Sequence, residues 1–240
     1  MKHPRHLLAA LAALTLAATS SEHPRAQTSE TRLRKRDLRS DVVLTTSEGA
    51  IRLRLSDQTP LHRDNFLRLV KAGFYDGISF HRVIRNFMVQ AGDPRTRTGA
   101  DTANRAAHTL PAEFRPDLYH RRGALAAARM GDDVNPQKAS SGAQFYIVQG
   151  RTFTDAGLDS VETYRLKGRK LPEAHRATYR IEGGAPHLDQ NYTVFGQAIE
   201  GMDVVDRIAA QPTTGRSGAD RPLSDIRIRS ARLVKRKRQG

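Results

Sequence analysis

The folded part of the chain begins with an alternation of apolar and polar residues, which is typical of half-buried strands. Ile51, Leu53 and Leu55 alternate with arginines, so one face of this segment is apolar and the other is charged. Residues 42–46, just before them, are rich in β-branched side chains, and residues 47–49 are a turn signal. The pattern therefore predicts a β-hairpin.

Two other segments carry apolar residues at helical spacing. The first follows Thr59 and Pro60, residue types that favour a helix N-terminus, and the second covers residues 202–210. Their apolar faces consist of Phe66, Leu69, Val70 and Phe74 in the first and of Val204, Val205, Ile208 and Ala209 in the second. We therefore expect two helices, each with one face against a core.

Short apolar runs of strand length fill much of the remaining sequence. They lie at residues 78–84, 87–91, 123–128, 144–149, 192–198 and 226–234. In the last run, strand alternation puts Ile226, Ile228, Ser230, Arg232 and Val234 on one face. Many short strands with two helices predict an antiparallel barrel whose open ends are covered by the helices.

Residues 1–20 have the organisation of a secretory signal peptide. A positively charged start precedes residues 7–18, an apolar stretch that is too short to span a bilayer comfortably. Small residues follow, and we expect cleavage after Ser20, with cleavage after Ala26 as the second choice. An uncleaved membrane anchor is the alternative. We predict an exported protein, in the periplasm or cell envelope, that has no membrane span after cleavage.

Charge distinguishes the two ends of the mature chain. The 240 residues include 40 Lys and Arg against 25 Asp and Glu, a formal net charge of +15. Basic residues crowd residues 21–40, which we interpret as a flexible linker, and residues 235–240, which we interpret as a basic tail. Such termini permit weak polyanion contact, and a dedicated anion-binding site is the alternative.

Several kinds of chemistry lack the residues that they require. The chain has no cysteine, which excludes disulfides, thiolate nucleophiles and cysteine-ligated zinc. Its nine histidines are scattered without metal-ligand spacing, and the sequence has neither a Gly-x-Ser-x-Gly elbow nor a glycine-rich phosphate loop. We therefore predict a protein that uses no metal or cofactor.

The most informative run is residues 80–94, Phe-His-Arg-Val-Ile-Arg-Asn-Phe-Met-Val-Gln-Ala-Gly-Asp-Pro. It combines a cation, Arg82, with two large apolar side chains, Phe87 and Met88, and an amide, Gln90. Strand alternation places Met88 and Gln90 on the same face. A face that offers a cation, an amide and apolar surface suits a peptide ligand.

This run closely resembles the cyclophilin signature, in which Phe-His-Arg is followed after a few residues by Phe-Met-x-Gln-x-Gly-Asp. Residues 141–147, Ser-Gly-Ala-Gln-Phe-Tyr-Ile, are similar to the family's Gly-Ser-Gln-Phe-Phe-Ile strand. Residues 188–202 contain its Leu-Asp, Val-Phe-Gly and Gly-Met elements. The resemblance covers residues 41–234 and implies a mainly β fold, a closed antiparallel eight-stranded β-barrel capped by two α-helices.

The resemblance also implies a function, a peptidyl-prolyl cis-trans isomerase that acts on proline-containing polypeptides during the folding of exported proteins. We expect a monomer that works without a cofactor. Two alternatives stay open: a proline-peptide-binding chaperone with little turnover, and a polyanion-binding module. Arg82→Ala is expected to separate the enzyme from the chaperone, because the catalytic cation is needed for turnover.

Site residues follow from the resemblance position by position. The implied catalytic residues are Arg82, Phe87 and Gln90. The implied substrate-binding residues are Met88, Ala128, Gln144, Tyr146, His187, Leu188 and Tyr192, with Ala128 at the family's backbone-binding alanine.

Four positions depart from the family's pattern. Tyr146 replaces the usual phenylalanine of the pocket floor, His187 a frequent tryptophan and Tyr192 a frequent histidine. The last two lie at the pocket rim, where they bear on substrate preference. Gln190 replaces a glycine, and if this turn requires a positive φ, glutamine strains it by about 1 kcal/mol.

Residues 151–186 form a long, charged interruption of the strand rhythm. Several glycines and Pro172 argue against one regular element. We expect an inserted loop, a partly ordered flap beside the groove, in which Tyr164, Leu166 and Leu171 pack on the barrel. Such a flap would help to select extended protein clients, and the alternative is a surface insertion without a role.

Overall fold

The computed structural model describes residues 32–97 and 108–237. Within these ranges the chain forms ten β-strands and four α-helices. The strands are β1 (Ser40–Thr46), β2 (Ala50–Leu55), β3 (Arg82–Ile84), β4 (Met88–Ala91), β5 (Thr109–Leu110), β6 (Ala124–Ala127), β7 (Ser140–Ser141), β8 (Phe145–Val148), β9 (Val194–Glu200) and β10 (Ile228–Lys235). The helices are α1 (Pro60–Lys71), α2 (Asp155–Ser160), α3 (Glu173–Ile181) and α4 (Met202–Ala209). The predicted signal peptide and both cleavage sites lie outside the described residues.

Eight strands form one antiparallel sheet in the order β10-β1-β2-β9-β6-β8-β4-β3, and β5 pairs separately with β7. The predicted mainly β fold with eight antiparallel strands is confirmed. The predicted closure is wrong, because the sheet is open between its edge strands β3 and β10. Near these edges the chain makes an isolated bridge between Ser79 and Arg227. Val83 in β3 donates its N–H to the carbonyl oxygen of Asp220 at 2.9 Å, so a loop covers that edge.

The predicted hairpin and both predicted helices are confirmed. In the hairpin, Val42 lies opposite Leu53 and Leu44 opposite Ile51, and all four side chains are fully buried. The apolar faces of α1 and α4 pack into the same core as the hairpin. α1 is 12 residues long, about 18 Å, and none of the helices in the described ranges could cross a membrane.

β10 departs from the predicted alternation at one residue. Its pairing with β1 skips Arg229, which forms a β-bulge. The bulge changes which side of the strand faces the core, so Ile228 and Ala231 are fully buried whereas Arg232 is exposed. The prediction that Arg232 and Val234 share the face of Ile228 is therefore wrong.

Residues 151–186 contain two α-helices and a π-helical turn, in contrast to the loop that the sequence predicts. α2 continues into a π-helical turn, Val161–Arg165, and α3 follows after a short connection. Their apolar side chains form a small core of their own. It consists of Leu158, Leu166, Leu171 and Tyr179, all buried. The insertion is an ordered unit, and Tyr164, which we expected to pack, is 79% exposed.

A buried carboxylate, Glu162, ties this insertion together. It accepts hydrogen bonds from Lys170 Nζ at 2.8 Å, from Arg176 Nη1 at 2.9 Å and from the Leu171 N–H at 3.1 Å. Burial raises the pKa of Glu162, but these three bonds outweigh it and bring the pKa down to about 2. Specific polar contacts therefore hold the segment in spite of its glycines and proline.

The folded part extends past the predicted boundary at its N-terminal end. Leu33 and Leu38 pack against the main core. Lys71 Nζ in α1 lies 2.7 Å from the carboxylate of Asp37. Residues 32–39, predicted as part of a flexible linker, are thus attached to the domain.

The C-terminal end is also fixed, through a buried carboxylate. Asp41 is fully buried and lies 2.9 Å from Arg52 Nε and 3.0 Å from Arg54 Nε. The Lys237 N–H donates to the same carboxylate at 3.2 Å, and Arg54 Nη2 donates to the Lys237 carbonyl at 2.8 Å. Residues 235–237 therefore belong to the folded domain rather than to a free tail.

Candidate active site

One row of side chains crosses four strands on the face of the sheet that lies opposite the main core. Arg82 in β3 lies opposite Gln90 in β4, Gln90 lies opposite Tyr146 in β8, and Tyr146 lies opposite Ala126 in β6. Opposite residues on antiparallel strands share a face, with Cβ atoms about 5 Å apart. The residues that alternate with them, such as Val89, point into the core. Both faces are apolar here, which explains the uninterrupted apolar runs of β6 and β8.

Polar contacts hold Arg82 at the end of this row. Its Nη1 lies 3.5 Å from Gln90 Oε1, and its Nε lies 3.6 Å from the carboxylate of Asp220. Gln90 Nε2 donates to Gln144 Oε1 at 3.1 Å. The Arg82 side chain stays 41% exposed, so a ligand can reach its guanidinium. The structure brings Arg82, Gln90 and Gln144 together, and it adds Asp220, which the sequence did not predict.

An apolar cluster, which we call the apolar pocket, lies on the same face of the sheet as Arg82. It includes Phe87, Met88, Ala128, Tyr146, Leu188 and Tyr192. Met88 and Tyr146 are almost fully buried, whereas Phe87 is half-buried. Six of the predicted site residues are thus found in one cluster.

His187 lies at the rim of this pocket. Its ring packs on Phe87, with centroids 5.3 Å apart and the planes tilted by 36°. Burial, and secondarily the positive charge of Arg165, lowers the pKa of His187 to about 4. The ring is therefore neutral at pH 7, and it extends the apolar wall without adding a charge.

Ala128 packs against the apolar pocket, but its backbone is already engaged. Its N–H donates to the Gln144 carbonyl at 3.0 Å, and its carbonyl accepts from the Ser141 N–H at 2.8 Å. A backbone N–H donates one hydrogen bond, whereas a carbonyl oxygen has a second lone pair. The backbone role that the resemblance implies is therefore restricted to the carbonyl of Ala128.

Behind the pocket floor lies a buried chain of hydrogen bonds. Tyr146 Oη lies 2.9 Å from His120 Nε2, and His120 Nδ1 lies 3.0 Å from Asp189 Oδ1. Tyr179, from α3, donates to Asp189 Oδ2 at 2.7 Å. With the carboxylate as acceptor, a neutral His120 carries its proton on Nδ1 and accepts from Tyr146 on Nε2. Burial is the main cause that raises the pKa of Tyr146 and of Tyr179, so both hydroxyls keep their protons.

The sequence predicts neither His120 nor Tyr179 as part of the site. The available signal is Tyr146 itself, because a buried tyrosine hydroxyl needs a hydrogen-bond partner. His120 is 26 residues away from Tyr146 along the chain, and no pattern around it marks it as that partner. Asp189 lies in the Leu-Asp element of the resemblance, although without a role.

The turn after Leu188 completes the pocket. Arg129 Cζ lies 4.4 Å from the centroid of the Tyr192 ring, within cation–π range, and its Nε donates to the Asn191 carbonyl at 2.8 Å. Gln190 has a φ of 60°. This is the positive φ for which we expected a strain of about 1 kcal/mol in a residue other than glycine.

Comparison with known proteins identifies the family of this chain. The family model of the cyclophilin-type peptidyl-prolyl cis-trans isomerase/CLD matches residues 41–233. A predicted peptidyl-prolyl cis-trans isomerase of Staphylococcus saprophyticus is 37% identical over 194 residues, 80% of this chain and 91% of the relative. One from Staphylococcus haemolyticus is 35% identical over 190 residues, 79% of this chain and 88% of the relative.

Solved structures show the same fold. A crystal structure of a cyclophilin-type peptidyl-prolyl cis-trans isomerase of Cryptosporidium parvum has a TM-score of 0.59 at 23% identity, covering 82% of this chain and 99% of that chain. A second, determined in the presence of the dipeptide Ala-Pro, has a TM-score of 0.58. Because the family model matches most of the chain and the relatives exceed 30% identity over most of their length, this chain belongs to the cyclophilin-type peptidyl-prolyl cis-trans isomerases.

Proposed function

We propose that this enzyme catalyses the cis-trans isomerisation of X-Pro bonds in exported polypeptides, with Arg82 as the catalytic cation. The observation that carries the proposal is the position of the guanidinium, which is partly exposed, 3.5 Å from Gln90 Oε1 and on the same face of the sheet as the apolar pocket. The enzyme works as a monomer without a cofactor. Its basic termini allow weak contact with polyanions.

The chemistry requires stabilisation of a twisted amide rather than a nucleophile. Resonance gives the peptide C–N bond a rotational barrier of about 18–20 kcal/mol. Rotation removes the resonance and leaves a lone pair on the prolyl nitrogen. A guanidinium that hydrogen-bonds this nitrogen stabilises the twisted state more than the planar one, which is the condition for catalysis. Arg82 suits this task because it is always charged and offers several donors.

The neighbouring residues bind and position the substrate. Phe87, Met88, Tyr146 and Leu188 hold the proline ring away from water, and the planar amide, which is more polar than the twisted one, loses solvation there. Gln90 donates an N–H to the substrate carbonyl in exchange for its present bond to Gln144. His187 contributes a neutral ring to the wall of the pocket.

The substrate class and the location rest on different observations. A structural neighbour was determined in the presence of Ala-Pro, which supports a proline-containing peptide as ligand. The signal-peptide organisation of residues 1–20 supports export. N-terminal sequencing of the protein from an envelope fraction is expected to begin at Ser21, and an intact Met1 in the cytoplasm would reject export.

A protease-coupled proline-peptide assay tests the catalytic assignment. We expect Arg82→Ala to lower kcat/KM about 100- to 1000-fold, because it removes the donor to the prolyl nitrogen. Arg85→Ala is the matched control, since Arg85 is an exposed arginine of the same hairpin, and it is expected to stay within about twofold of wild type. Near-wild-type turnover by Arg82→Ala would remove Arg82 from the mechanism. Peptide binding by the wild type without turnover would favour the chaperone.

A further inference from the structure

A hollow of about 420 Å³ lies against the apolar pocket, because Leu188 and Tyr192 belong to both, and His187 also lines it. Its other walls come from the turn after α2 and from the segment after β6. Five cationic side chains line it, together with one carboxylate. The cations are Arg129, Lys138, Arg165, Lys167 and Arg169, and the carboxylate is Asp132.

The single carboxylate leaves most of this positive charge unbalanced. Asp132 lies 2.6 Å from Arg129 Nη1. Lys138 Nζ donates to Asn191 Oδ1 at 2.6 Å, and Arg169 donates to the Asp189 carbonyl at 2.5 Å, and neither acceptor is an anion. In the described part of the chain, none of the four remaining cations lies within 4.0 Å of a carboxylate. The hollow therefore presents a positive potential to whatever enters it.

The backbone gives a second, independent indication. Lys138 has a φ of 54° and Lys167 a φ of 53°, the left-handed region that glycine and asparagine adopt more readily than lysine. Two lysines that line one hollow thus stand where the backbone disfavours them. Strained residues of this kind gather at binding sites, where the side chain is what matters.

We propose that this hollow, the basic subsite, binds the carboxylate of an Asp or Glu that lies within three residues of the client's proline. The inference rests on the proposed function, which places the proline in the adjoining pocket. An extended peptide advances about 3.3 Å per residue, and Leu188 and Tyr192 belong both to the hollow and to the apolar pocket. A side chain two or three positions from the proline therefore reaches the cations, which makes the enzyme selective for acidic client segments.

Short peptides test this selectivity position by position. Each peptide carries Glu, Gln or Lys at one position within three residues of a single proline, and kcat/KM is measured at about 20 mM and 300 mM salt. At one or more positions we expect Glu to exceed Gln about three- to tenfold at low salt, and Lys to fall below Gln. The preference is expected to shrink at high salt, because the Debye length falls from about 20 Å to 6 Å.

Two matched double variants test whether the preference for Glu peptides depends on the basic subsite. Arg165→Gln with Lys167→Gln is expected to bring the Glu and Gln peptides within about twofold of each other while leaving the Gln peptide's turnover unchanged. Arg68→Gln with Arg229→Gln removes the same charge from exposed positions on α1 and β10 and is expected to keep the preference. Equal turnover of all peptides by the wild type, or a preference that survives Arg165→Gln with Lys167→Gln, would overturn the basic subsite.

The neutral Gln peptide separates this proposal from the isomerase function. If the Gln peptide is turned over without a Glu preference, the basic subsite fails and the isomerase stands. If no peptide is turned over, the proposed isomerase function is wrong. Fluorescence anisotropy of the labelled Glu and Gln peptides then tests whether the basic subsite binds a carboxylate. Tighter binding of Glu, lost in the Arg165 and Lys167 double variant, then supports it, and equal binding rejects it.

Discussion

At Tyr146 a single hydroxyl group connects the apolar pocket to the protein interior. The ring forms part of the pocket cluster, and its Oη lies 2.9 Å from the buried Nε2 of His120. The phenylalanine that the family usually has at this position would leave that nitrogen without a partner. The hydrogen bond to His120 behind the pocket, and not the pocket itself, therefore explains why this position is a tyrosine.

This contact predicts a stability effect without a large catalytic effect. We expect Tyr146→Phe to lower the free energy of unfolding by about 1–2 kcal/mol, because a buried acceptor loses its donor. kcat/KM for a proline peptide should stay within a few-fold, since the apolar ring remains. Urea unfolding and the peptide assay check the two expectations. A tenfold loss of activity, or unchanged stability, would contradict this account of Tyr146.

His187 predicts a pH dependence of stability. Its pKa is about 4 in the folded chain, mainly because of burial, against about 6.5 when unfolded. As the pH falls from 6.5 to 4, the unfolded chain binds a proton that the folded chain does not, so the stability present above this window declines through it. We expect His187→Gln to lose less stability than wild type between pH 6.5 and 4 in urea titrations. Identical pH dependence of the two proteins would show that His187 does not titrate as described.

At the scale of elements, α3 supports the pocket through one hydrogen bond. Tyr179 in α3 donates to Asp189, the residue after Leu188. Arg169, in the connection between the π-helical turn and α3, donates to the carbonyl of the same aspartate at 2.5 Å. The insertion therefore positions one wall of the pocket, which a loosely attached flap would not do.

Removal of one hydroxyl group tests this support. We expect Tyr179→Phe to lower the free energy of unfolding by about 1–2 kcal/mol and kcat/KM about three- to tenfold, because Asp189 loses a donor and the turn at Leu188 loosens. Tyr164→Phe is the control, since Tyr164 belongs to the same insertion and is 79% exposed. Equal effects in the two variants, or no effect of Tyr179→Phe on either quantity, would show that α3 does not position the pocket.

The sequence predicts those elements whose pattern is local. The alternation at Ile51, Leu53 and Leu55 and the helical spacing in α1 and α4 give the correct elements, because each pattern reports burial of one face. The bulge at Arg229 is not predictable in this way, because it depends on pairing with a distant strand. The insertion is missed because its side chains are buried against one another, while Gly168 and Pro172 lie between its helical segments and Gly183 follows α3.

The candidate site likewise contains residues that the sequence predicts and residues that it does not. Arg82, Phe87, Met88 and Gln90 follow from one continuous run, because a hairpin places them together. His120 and Tyr179 come from segments without a recognisable motif, and only the fold brings them to Asp189.

At the scale of the whole molecule, Asp41 in β1 connects distant parts of the domain. It contacts Arg52 and Arg54 in β2 and the backbone N–H of Lys237 near the C-terminal end. Burial raises the pKa of Asp41, but hydrogen bonds from Arg54 and Arg52 outweigh it and lower the pKa overall. Because the folded pKa is depressed, this carboxylate stabilises the fold above its unfolded pKa of about 3.9 and loses that effect as the pH falls through the folded value. The ion pairs of Asp41 therefore make the stability of the fold decrease at acidic pH.

Asp41→Asn is expected to lower the free energy of unfolding at pH 7 by about 3–5 kcal/mol, because it leaves the guanidinium groups of Arg52, Arg54 and Arg236 uncompensated. Asp203→Asn is the control. Asp203 pairs with Arg207 at 2.8 Å on the exposed surface of α4, where an ion pair contributes little, so its loss should leave stability almost unchanged. Similar stabilities of Asp41→Asn and wild type in urea would contradict the role of Asp41.

We propose that Arg82 lowers the rotational barrier rather than merely helping to hold the peptide. Two-dimensional exchange NMR of an X-Pro peptide at equilibrium tests it directly, since uncatalysed exchange takes tens to hundreds of seconds. We predict exchange within about a second for wild type at catalytic concentration. Arg82→Lys should keep the Kd within about threefold but leave exchange at the uncatalysed rate, because an ammonium lacks the planar fork. Wild-type exchange by Arg82→Lys, or binding by the wild type without exchange, would rule out Arg82 as the catalytic cation.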